Sequence, residues 1–390
     1  MSAPVIQGWC PGALRPMTSG DGLVVRVRPR GGRLTPEQAA GIAALSLCHG
    51  NGLIDLSSRA NVQLRGVTEA GHRLLIEGLS ALGLIDESTE AESRRNIVVT
   101  PFWTDGDGIQ AIVRSLAAAL AGPDAPETPG KFGYAVDCGA APVLSSVSAD
   151  IRIERGPDGG LLVRPDSAAT GARATPGTVT DLALDLARWF LDTGGAPAGR
   201  GRMAAHLARG AVLPPVFTEA SAIRSGAPVD PGPGPVAQGV LVAFEFGQMR
   251  AETLSMLAEI GPLRVTPWRM ILIEGAGAIP GSVGLITDSD SPLLRIVACT
   301  GAPGCPQALI ATRPLARRLS GSLPPGERLH VSGCAKGCAH PGAAPLTLVG
   351  RPDGTVDLIR GGTATDAPAR AGLDPETLNF HTLTETAHAS

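Results

Sequence analysis

The pattern of apolar and polar residues in the first part of the chain predicts a split α/β unit. Residues 23–27 alternate into neighbouring arginines, as in a half-buried strand. Thr35 followed by Pro36 and Glu37 is typical of a helix start, and the helix should run to about residue 48. Similar patterns predict strands over 53–56 and 61–65 and a helix over 71–82. The resulting order is strand, helix, strand, strand, helix.

A weaker copy of this pattern follows later in the chain, with strands over 240–246, 263–265 and 269–273 and a helix over 250–259. We expect the series Arg59-x-Asn61-x-Gln63 in the first copy to correspond to Arg264-x-Thr266-x-Trp268 in the second. Hairpins with a Pro-Asp-Gly turn are predicted after both copies, over 150–164 and 346–359. The chain is therefore expected to be a duplicated two-part unit.

Composition adds limits to this picture. The chain has 390 residues, 43% of them hydrophobic, with a mean hydropathy of +0.15, which predicts a folded protein of two or three domains. No apolar stretch is long enough to span a membrane, and we expect a cytoplasmic protein because no secretory signal is visible. The net charge of −3 gives no indication of nucleic acid or membrane as a partner.

Four of the seven cysteines fall in two short glycine-rich stretches, Cys299-Thr-Gly-Ala-Pro-Gly-Cys305 and Gly333-Cys334-Ala-Lys-Gly-Cys338. Mostly apolar runs over 293–298 and 329–331 precede them and predict buried strands, so the cysteines should lie on turns at strand ends. Such turns leave backbone N–H groups free to donate to sulfur, as an iron–sulfur cluster requires. A zinc site, for which the first spacing is wide, and unrelated core cysteines are the alternatives; disulfides are disfavoured by the odd cysteine count.

The two cysteine motifs resemble the signature of the siroheme-dependent sulfite and nitrite reductases. The resemblance implies that a 4Fe–4S cluster is held by Cys299, Cys305, Cys334 and Cys338, the last of which bridges to siroheme iron in that family. This chain has Lys336 where the family usually has Asn. The implied fold class is α+β, with paired ferredoxin-like halves and two α/β lobes around a central site.

The expected domains follow from the resemblance and the patterns together. They are a first ferredoxin-like half (1–90), a first α/β lobe (91–224), a Pro/Gly-rich linker (225–235), a second ferredoxin-like half (236–285), a second lobe with the cluster (286–362) and a loosely held tail (363–390).

Alternating polar residues over 59–65 would by themselves predict a solvated strand face. The resemblance implies instead that this stretch holds carboxylates of a tetrapyrrole, because guanidinium groups bind carboxylates through two parallel hydrogen bonds. Arg95 and Lys131 occupy further basic positions of the family, whereas Gly133 replaces a second lysine. The expected substrate-binding residues are Arg59, Asn61, Gln63, Arg65, Arg95, Lys131, Arg200 and Arg202.

Within the family, the chain is most similar to a branch that oxidises a tetrapyrrole in aerobic cobalamin biosynthesis. This likeness is carried by Cys10-Pro-Gly12, Gly20-Asp-Gly-Leu23, His49-Gly-Asn-Gly-Leu-Ile-Asp55, Arg59-x-Asn-x-Gln-Leu-Arg-Gly66 and the two cysteine motifs. It implies precorrin-3A as substrate and O2 as co-substrate. It further implies NADH-derived electrons delivered by a donor protein, and a mononuclear non-haem iron whose ligands the sequence does not reveal. A short siroheme-dependent sulfite or nitrite reductase and a non-catalytic iron–sulfur electron carrier are the alternative functions.

Overall fold

The structure is a computed structural model that describes residues 11–222, 231–279 and 284–384. Cys10 and residues 225–230 of the expected linker lie outside these ranges. Within the described ranges, no helix is both long and apolar enough to cross a lipid bilayer.

The first ferredoxin-like half contains an antiparallel sheet with two helices. Its elements are β1 (Met17–Ser19), β2 (Gly22–Val27), β3 (Arg33–Leu34), α1 (Pro36–His49), β4 (Leu53–Leu56), β5 (Val62–Val67) and α2 (Glu69–Ala81). Thr35 caps α1 in a reciprocal arrangement with Gln38, which confirms the predicted helix start. The chain order matches the predicted split α/β unit.

The first α/β lobe follows in the sequence. It contains α3 (Thr89–Arg94), β6 (Ile97–Val99), α4 (Ile109–Ala121), β7 (Tyr134–Asp137), β8 (Ile151–Arg155), β9 (Leu161–Pro165), β10 (Thr170–Ala174), α5 (Val179–Asp192), α6 (Met203–Ala208) and β11 (Ala220–Ser221). Its sheet has the order β11-β10-β9-β8-β7-β6, and β8 pairs antiparallel with β9, as predicted for the hairpin. Phe132, Tyr134 and Phe190 are fully buried in the core of this lobe.

The second ferredoxin-like half repeats the first. Its elements are β12 (Gly234–Val236), β13 (Gly239–Phe244), β14 (Gln248–Arg250), α7 (Ala251–Ile260), β15 (Leu263–Val265), β16 (Met270–Glu274) and β17 (Leu285–Ile286). The last residues of the expected linker, Gly234 and Pro235, therefore pair with β13 instead of forming a free connection.

The two halves exchange edge strands. β14 of the second half pairs with β4 of the first, and β3 of the first half pairs with β15 of the second, so the sheet orders are β1-β2-β5-β4-β14 and β12-β13-β16-β15-β3. Helices α1 and α7 pack together, and one hydrophobic core contains apolar residues of both halves. The duplication therefore generates a single structural unit with approximate twofold symmetry.

This symmetry corrects the predicted correspondence between the copies. Leu56 pairs with Val62 and Val265 pairs with Ile271, so loops 57–61 and 266–270 are equivalent and equally long. Ala60 and Arg269 both have positive φ, 54° and 60°, at the same place in the two loops. Arg264 lies inside β15, at the position of Asp55 in β4, so its expected match with Arg59 is wrong.

The second lobe carries the cysteines. It contains β18 (Ile296–Ala298), α8 (Thr312–Ser320), β19 (Leu329–Ser332), β20 (Ala344–Gly350), β21 (Val356–Gly362), β22 (Arg370–Leu373) and α9 (Phe380–Thr384). Strands β18, β19 and β20 are parallel, and β20 forms the predicted hairpin with β21. The predicted strand over 293–298 is shorter than expected, because Pro292–Arg295 forms a 3-10 turn.

The prediction of a loosely held tail is wrong for its described part. β22 pairs with β21, and Phe380 and Leu383 are buried in the core of the second lobe. Arg360 also donates a hydrogen bond to the carbonyl of Leu383. Apolar burial therefore holds the chain in place up to residue 384.

Candidate iron–sulfur and substrate site

The two cysteine loops leave the carboxyl ends of neighbouring parallel strands. Cys299 follows β18 and Cys334 follows β19, and Ala298 pairs with Val331 just before these loops. Because carboxyl ends of parallel strands lie at one edge of a sheet, the fold brings the loops together. The N–H of Leu309 donates to the carbonyl of Gly333 and joins them directly (2.8 Å).

Backbone donors to sulfur occur as expected. The N–H of Gly333 donates to Cys299 Sγ at 3.2 Å, which offsets charge on that sulfur. A Cβ atom at position 333 would lie 2.7 Å from Cβ of Ala308, so a side chain there would separate the loops. Thr312, at the start of α8, donates its hydroxyl to the carbonyl of Cys299 (2.7 Å) and fixes the strand end.

Electrostatics indicate that the four thiols share one neighbourhood. Burial raises the pKa of the Cys338 thiol, Lys336 lowers it, and the charges of the other three cysteines, Cys334, Cys299 and Cys305, raise it further. Mutual repulsion therefore opposes the formation of four thiolates. Positively charged iron would relieve this repulsion, so the donor set has the chemistry that an iron–sulfur cluster needs.

The spacing of these thiols bears on the zinc alternative. In residues 11–222, 231–279 and 284–384, no three His, Cys, Asp or Glu side chains are grouped closely enough to hold one metal ion. A zinc ion would require its ligands to converge on a single point, whereas each cysteine of a cluster binds a different iron. The choice between a cluster and zinc at these cysteines stays a prediction. The same described residues provide no ligand set for the expected mononuclear iron.

Arg65 connects the first ferredoxin-like half to the cysteine site. Its guanidinium is buried and makes two hydrogen bonds with the Asp21 carboxylate, at 2.7 and 3.0 Å. It also donates to the carbonyl of Gly304 in the first cysteine loop, at 3.0 Å, and to the hydroxyl of Ser19. These contacts give Arg65 a role in the scaffold, and its expected role in substrate binding stays a prediction.

Two other expected substrate arginines are also engaged within the protein. Arg95 is buried, forms a two-bond pair with Asp86 (2.7 and 2.8 Å) and donates to the carbonyl of Arg28. Arg202 pairs with the fully buried Asp150, at 2.9 and 3.1 Å. These pairs give both arginines a role in the scaffold, and their expected roles in substrate binding stay predictions.

Arg59 and Lys131, predicted from separate motifs, lie side by side. Arg59 Nη2 donates to the backbone carbonyl of Lys131 at 3.1 Å, and the Lys131 side chain is exposed. Loop 57–61 is shaped by the Ser57 hydroxyl, which accepts from the N–H groups of Arg59 and Asn61. Two cations on adjoining loops suit an anionic ligand, and their role as substrate-binding residues stays a prediction.

The remaining expected residues occupy different environments. Gln63 accepts two hydrogen bonds from Arg26 (2.7 and 3.1 Å), Asn61 is buried, and Arg200 is exposed on the first lobe. A Cβ atom at Gly133 would lie 2.6 Å from the side-chain amide nitrogen of Asn96, which donates to the carbonyl of Phe132. A lysine at this position would therefore require the Asn96 side chain to shift.

A buried polar cluster around Asp55 was not predicted. Asp55 accepts from Gln248 (2.8 Å) and from Arg313 (3.3 Å), and Arg65 lies 3.7 Å away. Arg269 is an electrostatic neighbour of both Asp55 and Arg313. Arg269 was missed because the second copy was aligned incorrectly with the first. Asp55 could have been recognised as a candidate, because it lies in one of the family motifs found in the sequence.

His330 lies on β19 in the same region. Its side chain is 1% exposed, and neither ring nitrogen has a hydrogen-bond partner. Burial lowers the pKa of His330 to about 4, with further contributions from His340 and Arg269, so the imidazole is neutral at neutral pH. The ring lies 5.7 Å from that of His340, beside the second cysteine loop.

Comparison with known proteins supplies a context for this site. The family described as nitrite/sulfite reductase ferredoxin-like half domain matches residues 15–82. A precorrin-3B synthase from Sinorhizobium sp. is 30% identical over 427 residues, covering 94% of this chain and 85% of that protein. The structure of the Mycobacterium tuberculosis NirA protein aligns with a TM-score of 0.58 at 17% identity, covering 94% of this chain and 81% of that one. The duplicated α+β architecture is thus that of the sulfite/nitrite reductases.

Proposed function

Since the chain belongs to the precorrin-3B synthases, within the sulfite/nitrite reductase family, we propose that it converts precorrin-3A to precorrin-3B in aerobic cobalamin biosynthesis. The reaction hydroxylates C-20 of the macrocycle, and a ring acetate closes a γ-lactone at C-1. One atom of O2 enters the product and the other leaves as water, which requires two electrons and two protons from a reductant.

The observation that carries this proposal is the similarity to a precorrin-3B synthase, which covers 94% of this chain. The architecture alone would equally suit a sulfite or nitrite reductase. In the proposed synthase, the position of siroheme is taken by a substrate that enters and leaves.

A substrate with several carboxylates requires cations that its carboxylates can reach. Arg59 and Lys131 are the best placed of the expected residues, because they lie on adjoining loops and the Lys131 side chain is exposed, whereas Arg65, Arg95 and Arg202 are paired with aspartates. In the proposal, Arg59 binds one carboxylate through its planar fork and Lys131 supplies a second, less directional contact. Together they orient the macrocycle at the site.

The proposed redox cofactor is a 4Fe–4S cluster held by Cys299, Cys305, Cys334 and Cys338, which supplies single-electron transfer when bound. The electrons would come from NADH through a donor protein. The N–H of Gly333 then places a partial positive charge beside the sulfur of Cys299, and Lys336 places a full positive charge near that of Cys338. We assign no step to the mononuclear iron implied by the resemblance, because the described residues provide no ligand set for it.

The proposal is tested by incubating the cluster-loaded protein with precorrin-3A, a chemical reductant and isotopically labelled O2. We expect a product that contains a single labelled oxygen atom and forms only when O2 is present. Sulfite or nitrite reduction without this product would favour the reductase alternative. Absence of both activities, with an intact cluster, would favour an electron carrier.

A further inference from the structure

The approximate twofold symmetry gives loop 57–61 a counterpart that sequence motifs did not identify. Loop 266–270 occupies the equivalent position in the second half, and Arg269 has the left-handed backbone conformation found at Ala60. A positive φ is unfavourable for a long side chain, and such residues concentrate at functional sites.

Arg269 lies between the second ferredoxin-like half and the cysteine lobe. Its Nη2 donates to the carbonyl of Ala339, the residue after Cys338, at 3.2 Å. Its electrostatic neighbours are Asp55 and Arg313, and its charge also acts on His330. Side chains from three parts of the fold therefore meet beside the second cysteine loop.

Positive charge exceeds negative charge at this meeting point. Asp21 neutralises Arg65 through two hydrogen bonds, which leaves the Asp55 carboxylate to balance both Arg269 and Arg313. Burial and the charge of Arg313 lower the pKa of Arg269, as expected for a cation in a partly desolvated and positive environment. One guanidinium charge therefore remains without an acidic partner among the described groups that act on Arg269.

Hydrogen-bond donors are also left over at the same place. Nε of Arg313 is buried without a partner, and both ring nitrogens of the buried His330 are likewise unpartnered. Buried polar groups are nearly always hydrogen-bonded in native proteins, so such exceptions indicate a missing ligand or water. An excess positive charge combined with unused N–H donors favours an anion with oxygen acceptors.

We propose that Arg269 and Arg313 form a second carboxylate-binding site, opposite the Arg59 loop, and that neutral His330 contributes one further hydrogen bond. The identity of the ligand as a tetrapyrrole carboxylate rests on the proposed function. Asp55 holds Arg313 in place by accepting a hydrogen bond from its Nη2. The two pseudosymmetric loops would thus contact opposite parts of one macrocycle.

The test measures binding of uroporphyrin III, a stable tetrapyrrole with eight carboxylates, to the full-length, cluster-loaded protein by fluorescence titration. Arg269→Gln and Arg313→Gln should each raise Kd about tenfold or more, since each removes charge-assisted hydrogen bonds to a carboxylate. Arg269→Lys should recover part of the loss. The matched control is Arg317→Gln, on the exposed side of α8 and paired with Glu245, which should leave Kd unchanged.

Iron and sulfide content provides the second readout and should stay at the wild-type level in all variants. Unchanged Kd in both Gln variants would overturn the proposal, as would loss of cluster content that parallels loss of binding. If the wild-type protein binds uroporphyrin III through these arginines but does not convert precorrin-3A, the proposed function fails and the site stands. If conversion occurs and the Gln variants bind normally, the site fails and the function stands.

Discussion

Replacing Arg65 by Met separates a scaffold role from a substrate-binding role. The substitution keeps most of the side-chain length but removes a guanidinium that is paired with Asp21, hydrogen-bonded to Gly304 and buried to 95%. Breaking a buried ion pair costs about 3–5 kcal/mol when the remaining charge stays buried. The side chain of Asp21 is 20% exposed and can be partly rehydrated, so we expect a loss of about 2–4 kcal/mol.

The assay combines urea unfolding with iron and sulfide analysis of the anaerobically purified protein. Arg65→Met should lower the unfolding midpoint and reduce cluster content, because the Gly304 carbonyl loses the contact that anchors the first cysteine loop. The control is Arg73→Met, since Arg73 forms an exposed pair with Glu77 on α2 and should contribute less than about 0.5 kcal/mol.

A double variant shows whether the loss of stability comes from the Asp21–Arg65 ion pair or from some other effect of the substitution. Asp21→Asn combined with Arg65→Met should cost about 1 kcal/mol less than the two single changes together, because each single change already removes the pair. If Arg65→Met unfolds like the wild type, keeps its cluster and loses only tetrapyrrole binding, the scaffold assignment is wrong.

Three further predictions concern the cysteines, Arg59 and His330. The expected cluster ligands are Cys299, Cys305, Cys334 and Cys338. Replacing any of them by Ser should abolish or severely reduce iron and sulfide content, whereas Ser at Cys48 or Cys138 should preserve it. Full content in two of the four ligand variants would contradict the assignment. Arg59→Ala should weaken uroporphyrin III binding by about 2–4 kcal/mol with the cluster intact, and an unchanged Kd would place Arg59 on a solvated face. The pKa of His330 is lower in the folded protein than in the unfolded chain, so acidification protonates the unfolded chain first and favours unfolding. Between pH 7 and pH 5, the free energy of unfolding of the wild type should fall by about 2 kcal/mol more than that of His330→Gln. Equal decreases in the two proteins would refute this prediction.

The sequence predicted the features that depend on local pattern and spacing. The start of α1, the order of strands in both halves, the two hairpins and the meeting of the cysteine loops follow from capping, periodicity and glycine-rich turns. These signals lie within short stretches, where propensity and side-chain alternation dominate.

Features that depend on distant partners were missed. Asp21 lies 44 residues from Arg65 and Asp150 lies 52 residues from Arg202, so the sequence could not show that these arginines are already neutralised. The correspondence of the copies failed because polar residues were matched by type, whereas the strand register aligns loops of equal length. The polar composition after residue 361 likewise concealed Phe380 and Leu383, whose burial depends on a core formed elsewhere in the chain.

The ratio of siroheme to cluster iron tests most directly the claim that this site receives a tetrapyrrole as substrate instead of holding one permanently. The protein should be purified anaerobically from a host that makes siroheme, and siroheme should be extracted into pyridine and measured by absorbance. Lys336 acts electrostatically on Cys338, and position 133 carries Gly, packed against Asn96, in place of a second lysine, so we predict a full cluster without stoichiometric siroheme. A siroheme-to-cluster ratio near one would contradict the account and identify the chain as a siroheme-dependent reductase.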